Sequence, residues 1–228
     1  MTGAGRWSLR ALRWWVQDYC YAAYWQVRGL FSPLGSACFH SGSGAPVVVI
    51  PGVYESWQFM LPLIESLHGH GHPVHVVPAL GRNLLPIPDA GEMVAAYVKD
   101  QDLRNVVIVA HSKGGMIGKY AMLKLDTEAR IRGMIAICSP FSGSRYARFL
   151  PLRSLRAFSP LDALTLELAR EELVNERITS IYGLFDPHIP EGSFLPGARN
   201  IQLELGGHFR ILADPRTLGT VQAELQRL

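Results

Sequence analysis

VVIVAHSKGG, residues 106–115, runs five aliphatic or small residues straight into a His-Ser pair, a lysine and two glycines. Such a run, rich in β-branched residues and without polar alternation, fits a strand buried on both faces. The glycines open GGMIGKYAMLKL (114–125), whose apolar spacing reads as a helix. Ser112 therefore falls in a sharp turn between strand and helix. It is there either to cap the helix or to act as a nucleophile.

The same alternation spreads outward in both directions. VVVI (47–50), VHVVPA (74–79), GMIAICS (133–139), ITSIYGLF (178–185) and NIQLEL (200–205) read as further strands. WQFMLPLIESLHGHG (57–71), DAGEMVAAYVKD (89–100) and a segment from about 213 read as helices. Strands alternating with helices predict an α/β fold, a mostly parallel sheet of about six strands with helices on both faces. Two segments depart from the pattern: residues 1–40, rich in Trp and Arg, and residues 141–172, a connection long enough for a cap or lid. The expected organisation is an N-terminal amphipathic helix (1–40) and an α/β domain (41–228) carrying the 141–172 insertion.

Composition narrows the class. With 228 residues, 48% hydrophobic and 18% charged, the chain can bury a full core as one larger domain. Arg6, Arg10, Arg13 and Arg28 against Asp18 carry the charge excess of the first 40 residues, so the remainder is close to neutral. No zinc-finger, RRM or helix-turn-helix pattern accompanies that charge, and nucleic acid is not an expected partner. Cys20, Cys38 and Cys138 are odd in number and lack CxxC spacing, which suggests a reducing compartment. No stretch approaches the ~20 apolar residues of a membrane span, and Arg13, Asp18 and Arg28 interrupt any signal-like run. A cytoplasmic location follows as the expectation.

Chemistry at Ser112 needs a base and a carboxylate, both delivered at strand ends. GLFDPHIP places Asp186 just past one apolar run, and LELGGHFRIL places His208 just past the last. The order Ser112, Asp186, His208 is the order this kind of sheet uses. His188 is a competing base, too close in sequence to Asp186 to reach back easily; His111 should point away from the site. His68, His70, His72 and His75 invite a metal reading, but their spacing suits no common zinc site. Glu204, in the last strand, reads as a solvent- or lid-facing residue.

These features together resemble the α/β-hydrolase superfamily, and within it small lipases and lipase-like esterases, over roughly residues 45–228. PGVYESW (51–57) stands in the place of the oxyanion loop and AHSKGG (110–115) in that of the nucleophile elbow. SPFSGS (139–144) is similar to a Thr-Pro-His-x-Gly-Ser segment of many lipases, GLFDPHIP to the acid turn and GGHFRIL to the histidine loop. Ala110 replaces the first small glycine, Pro51 a common histidine, and Lys113 a usual apolar residue. The resemblance implies an ester hydrolase, with a thioesterase, an acyltransferase or a non-catalytic membrane-binding module of the same fold as alternatives. It implies Ser112, Asp186 and His208 as the triad and the backbone N–H groups of Val53 and Lys113 as the oxyanion hole. Tyr54, Phe141 and Phe149 are expected against substrate, a small-molecule or lipid ester, with no metal or organic cofactor.

The two irregular segments suggest where such a substrate comes from. On a helix, Arg6, Arg10, Arg13 and Gln17 form a narrow polar stripe, while Leu9, Leu12, Trp15, Val16 and Tyr19 occupy the other side. That profile, over residues 7–28, fits peripheral contact with a membrane interface; the alternative is a helix packed on the core or on a partner. The cap segment interleaves Arg145, Arg148, Arg153 and Arg156 with Tyr146, Phe149 and several leucines, suiting anionic lipid surfaces or a solvated helix pair.

Overall fold

The structure, a computed structural model, describes residues 9–31, 35–147 and 159–228. Its strands are β1 (Val47–Ile50), β2 (Val74–Val76), β3 (Val106–His111), β4 (Ile131–Ile137), β5 (Ile178–Phe185) and β6 (Arg199–Gly206). They form one sheet in the order β2-β1-β3-β4-β5-β6, and every pairing is parallel. The described helices are α1 (Leu9–Leu30), α2 (Leu61–Gly69), α3 (Ile87–Asp100), α4 (Lys113–Tyr120), α5 (Ala163–Arg170) and α6 (Pro215–Arg227).

Period-two alternation assigns the side chains to two layers. Val48, Ile50, Val106, Ile108 and Ala110 face a core shared with Ile87, Val94 and Val98 of α3 and Met116 and Ile117 of α4. Val47, Val49, Val107 and Val109 face the opposite core, with Leu63, Ile64 and Leu67 of α2 and Val221 and Leu225 of α6. Because both faces are covered, β1 and β3 are buried at every position, which explains their unbroken apolar runs. β2 ends at Val76, short of the predicted 79, where Pro78 opens a 3-10 turn. β4 ends at Ile137 rather than 139, since Cys138 takes a positive φ of 48° and turns the chain away.

The strand order reverses at β1, so the crevice beyond the carboxyl ends of β1 and β3 is the natural ligand site of such a sheet. α1 lies across the domain beside it, packed on the 3-10 turns Trp57–Met60 and Arg210–Ala213 and on β6. Its inner side carries Trp14, Asp18, Tyr21 and Trp25. Trp14 stacks near Phe185 with ring centres 6.4 Å apart, and Tyr21 meets Phe59 edge-on at 5.8 Å. Gly206 is required beneath the Trp14 indole, where a Cβ would approach ring carbons to 2.2 Å.

Of the expected cap, the described parts are the loop to Ala147 and α5, which packs against α4 and is capped by Asp162 accepting from the amides of Leu164 and Thr165. Arg148, Phe149, Arg153 and Arg156 lie outside the described residues, as does Arg6.

Candidate active site

Ser112 sits between β3 and α4 with φ 50° and ψ −120°, a conformation that costs a non-glycine residue energy and projects its side chain from a tight turn. The turn closes because Gly114 and Gly115 carry no side chain. A Cβ at Gly114 would meet the Ile50 carbonyl oxygen at 2.3 Å, and one at Gly115 the Ser139 hydroxyl at 2.1 Å. Ala110 is tolerated at the first small position because its methyl faces the core shared with α3 and α4.

Three chain segments far apart in sequence meet at this serine. Asp186, just past β5, accepts from the amides of His188 at 2.8 Å and Ile189 at 3.0 Å through Oδ1. Its Oδ2 faces Nδ1 of His208 at 2.7 Å. Nε2 of His208 lies 3.0 Å from the Ser112 hydroxyl. A carboxylate only accepts, so Nδ1 carries the hydrogen and Nε2 is left to accept from Ser112. The pair polarises its own titration. Burial opposes the charged imidazolium, but Asp186, Asp18 and Glu55 outweigh it and raise the His208 pKa above its ordinary 6.5. Burial likewise opposes the Asp186 carboxylate, yet His208 and the His188 amide hold it well below the usual range.

The serine and histidine open into a cavity of about 400 Å³ whose walls include Ala22, Gln26, Val53, Tyr54, Phe59 and Tyr146. Val53 and Tyr54 thus line the same cavity as Ser112 and His208. Among the described residues neither the Val53 nor the Lys113 amide has a hydrogen-bond acceptor, which leaves both free for a ligand oxygen. Phe141 is a correction: expected against substrate, it is buried in the core beside Ala147 and Leu168, where a full aromatic ring gains more from close packing than from a half-open wall. Phe149 is among the residues not described.

Lys113, the departure from the usual apolar residue, is buried. Its ammonium donates to the carbonyls of Asn83, at 2.9 Å, and Leu85, tying the loop after β2 to the elbow. Burial lowers its pKa to about 8. Asn83 in turn donates to the Pro51 carbonyl at 2.7 Å, joining the same loop to the end of β1.

Several residues around the site make contacts that the sequence did not disclose. Glu55 accepts from the Gly52 amide at 2.7 Å and faces Nδ1 of His111 at 2.9 Å, both side chains buried. His111 does not line the cavity, but its Nε2 reaches the His208 carbonyl at 2.9 Å and therefore must carry a hydrogen. Glu55 and His111 together link the turn after β1 to the histidine loop. Asp18 of α1 accepts from the amides of His208, Phe209 and Arg210. Its one sequence signal was to be the lone acid among the aromatics of residues 1–40.

Of the competing residues, His188 lines the cavity with its ring 4.8 Å from that of His208, and the others lie apart. Nε2 of His188 bonds the Tyr19 hydroxyl at 3.2 Å, and burial and the neighbouring His208 lower its pKa to about 3, leaving it neutral. His70 turns to the Ser66 carbonyl, His72 to that of Ala45 and His75 to the Tyr97 hydroxyl, while His68 packs on Phe39, so the structure does not bring the four rings to one point. Cys138, Asp186 and His208 have donor atoms within 4.8 Å of one another. Burial pushes the Cys138 thiol well up, so it stays protonated beside an Asp186 already engaged by His208. All three cysteines are free, and Glu204 is exposed.

Comparison with known proteins agrees with this architecture. No family model matches the chain. Among solved structures, the mature lipase BlEst2 of Bacillus licheniformis superposes with a TM-score of 0.65 at 16% identity, covering 82% of this chain and 92% of that one. The α/β-hydrolase MGS-MChE2 from a lagoon-sediment metagenome gives 0.60 at 16%, covering 82% and 92%. Mouse alpha/beta hydrolase domain-containing protein 10 gives 0.58 at 13%, covering 82% and 90%. The chain has the α/β-hydrolase fold.

In sequence it is similar to two proteins named "Putative esterase/lipase 3". The one from Mycoplasma pneumoniae is 24% identical over 152 residues, 67% of this chain and 46% of that protein. The one from Mycoplasma genitalium is 33% identical over 64 residues, 28% of this chain and 23% of that protein. The chain thus spans less than half the length of these relatives.

Proposed function

We propose that the protein is a serine hydrolase of carboxylic esters with hydrophobic acyl groups. The observation that carries the proposal is the continuous chain Ser112–His208–Asp186, at 3.0 and 2.7 Å, opening into a mostly apolar cavity. Ser112 attacks the ester carbonyl, forming the Oγ–C bond while His208 takes the hydroxyl proton. The oxyanion is held by the Val53 and Lys113 amides. Collapse expels the alcohol, which receives that proton from His208. Water then attacks the acyl-enzyme, His208 again accepting a proton and returning it to Oγ as the acid leaves. Asp186 keeps the imidazole in the required tautomer throughout.

The test is labelling by a fluorophosphonate probe, followed by a panel of p-nitrophenyl esters and acyl-CoA thioesters with and without detergent micelles. Wild-type protein that is neither labelled nor active on any ester overturns the reading. Turnover confined to thioesters, or acyl transfer in place of hydrolysis, replaces it with the corresponding acyl chemistry.

The substrate source is proposed to be an anionic lipid surface met through α1. Its outward side exposes Leu9, Leu12, Val16, Val27 and Phe31, flanked by the exposed Arg10, Arg13 and Arg28. An apolar stripe bordered by cations suits an interface with negative headgroups. Among the described residues no helix is long and apolar enough to cross a membrane.

A further inference from the structure

We propose that α1 is part of the active site and that its Asp18 is the positioning residue for His208. The proposal rests on the triad reading above and adds to it a carboxylate that acts through the backbone.

Asp18 is fully buried, 190 residues away in sequence from the loop it holds. Its Oδ2 accepts from the His208 amide at 2.9 Å, and its Oδ1 from Phe209 at 2.7 Å and Arg210 at 2.8 Å. Removing a carboxylate from water is costly unless hydrogen bonds replace its hydration, and three consecutive amides converging on it do so. The convergence depends on Gly207, whose φ of 115° is left-handed territory and whose Cβ, if present, would stand 2.6 Å from Asp18 Oδ1. On the other side of the same residue, the His208 carbonyl accepts from His111. The base is therefore held at its ring by Asp186, at its amide by Asp18 and at its carbonyl by His111.

The neighbouring turns of α1 point the same way. Residues 18, 22 and 26 recur at four-residue spacing and share one helix face. Ala22 and Gln26 line the cavity, and the Gln26 amide donates to the Tyr54 carbonyl at 2.9 Å. Arg82 bonds both Gln26 and the same carbonyl. One helix face thus clamps the histidine loop at one end and the turn bearing Val53 and Tyr54 at the other. A face used only for burial would have no reason to direct two polar side chains at two loops of one cavity.

Charge gives a readout that packing alone would not. The groups facing His208 are Asp186 and His188 from the acid turn, Cys138 from the end of β4, His111 and Ser112 from β3 and its turn, Glu55 from the turn after β1, Asp18 and Tyr19 from α1, and Arg210 from its own loop. Removing the Asp18 charge takes away one of the carboxylates that favour the imidazolium, so His208 should lose its proton at lower pH.

The experiment uses the full chain. Asp18→Asn, nearly isosteric, is compared with wild type and with Asp214→Asn, which removes the carboxylate capping α6, a residue that does not line the cavity. The His208 imidazole is titrated by NMR, assigned with His208→Gln, and fluorophosphonate labelling, kcat, KM and the melting temperature are measured. For Asp18→Asn the imidazole midpoint should move to lower pH, labelling should slow by about 10²-fold, the cost of a small misplacement of a catalytic group, and kcat should fall more than KM rises. Asp214→Asn should lower only the melting temperature. Asp18→Ser, which retains one acceptor, is titrated if Asp18→Asn does not fold. An unchanged midpoint, with a labelling loss no larger than that of Asp214→Asn, overturns the proposal. An unlabelled wild type whose midpoint still shifts on Asp18→Asn refutes the esterase reading and leaves Asp18 assigned as the positioning residue of His208.

Discussion

Asp186 and Asp18 hold His208 at different points, and they differ in what they can control. Asp186 bonds the ring nitrogen and so selects tautomer and charge; Asp18 bonds the backbone amide and so selects where the ring stands. The first comes from the end of a strand in the same sheet, 22 residues from its partner; the second comes from a helix laid across the sheet. The strand ends converge because the parallel sheet delivers them to one edge. Nothing in the sheet delivers Asp18, which reaches the site only because Trp14, Tyr21 and Trp25 seat α1 against Phe185, Phe59 and their neighbours.

The largest effect tests the sheet-borne half. Ser112→Ala should abolish fluorophosphonate labelling and reduce ester turnover by on the order of 10⁶, with the fold retained, since loss of a triad nucleophile leaves only binding and the oxyanion amides. Undiminished labelling would show that the serine is a turn residue after all. Next in size, Asp186→Ala should cost about 10⁴, and adding it to His208→Ala should cost little more than His208→Ala alone, because the members act as a unit. A His188→Ala variant more damaging than His208→Ala would move the base to the other ring.

A pH profile reads the joint effect of the two carboxylates without removing either. Both raise the His208 pKa above 6.5, and the imidazole must be neutral to take the Ser112 proton. The value of kcat/KM should therefore fall with decreasing pH through a midpoint above 6.5. A midpoint at or below 6.5 would mean that burial outweighs the surrounding carboxylates.

The parts of the site that sequence disclosed are those written as local rules. A buried β-branched run, a serine, and glycines where a Cβ would strike Ile50 and Ser139 form one contiguous signature, and the acid and histidine each follow an apolar run. Asp18, Glu55 and His111 are not of that kind. Their meaning lies in hydrogen bonds to residues tens to nearly two hundred positions away, and a lone acid in an aromatic helix reads equally well as a solvated one. The apolar side of α1 was legible as a pattern, but which side faces the domain was not. The stripe of Leu9, Leu12 and Val16 turned out to face outward, while the side carrying Asp18 is buried. Phe141, expected against substrate, is packed into the core instead.

A smaller effect asks whether α1 shapes the cavity as well as the loop. Ala22 lies one turn from Asp18 and one from Gln26, with only a methyl group facing about 400 Å³ of space. Ala22→Trp should reduce kcat/KM for long-chain esters relative to acetate by on the order of 10-fold or more, the discrimination available to a changed apolar pocket. Equal loss on both substrates would place the acyl chain elsewhere.

The outer side of α1 carries the smallest expected effect and the one most sensitive to conditions. Arg10 and Arg13 are exposed, and Arg10 lies over the Trp14 ring at 4.3 Å, so each can present its charge at the helix surface. A basic side chain near an anionic leaflet contributes ~1 kcal/mol, or roughly five-fold in partitioning. Arg10→Ala and Arg13→Ala should therefore each weaken binding to phosphatidylserine-containing vesicles by about five-fold, and the pair multiplicatively. Added salt shortens the range of that attraction, so wild-type binding should approach that of the double variant at ~1 M ionic strength. Neutral vesicles separate the two components: binding there draws on the apolar stripe of Leu9, Leu12, Val16, Val27 and Phe31 and should not respond to either arginine. Wild-type protein that binds neither anionic nor neutral vesicles would leave the outer stripe without a lipid partner, while the inner face of the same helix, with Asp18 and Gln26, would keep its role at the cavity.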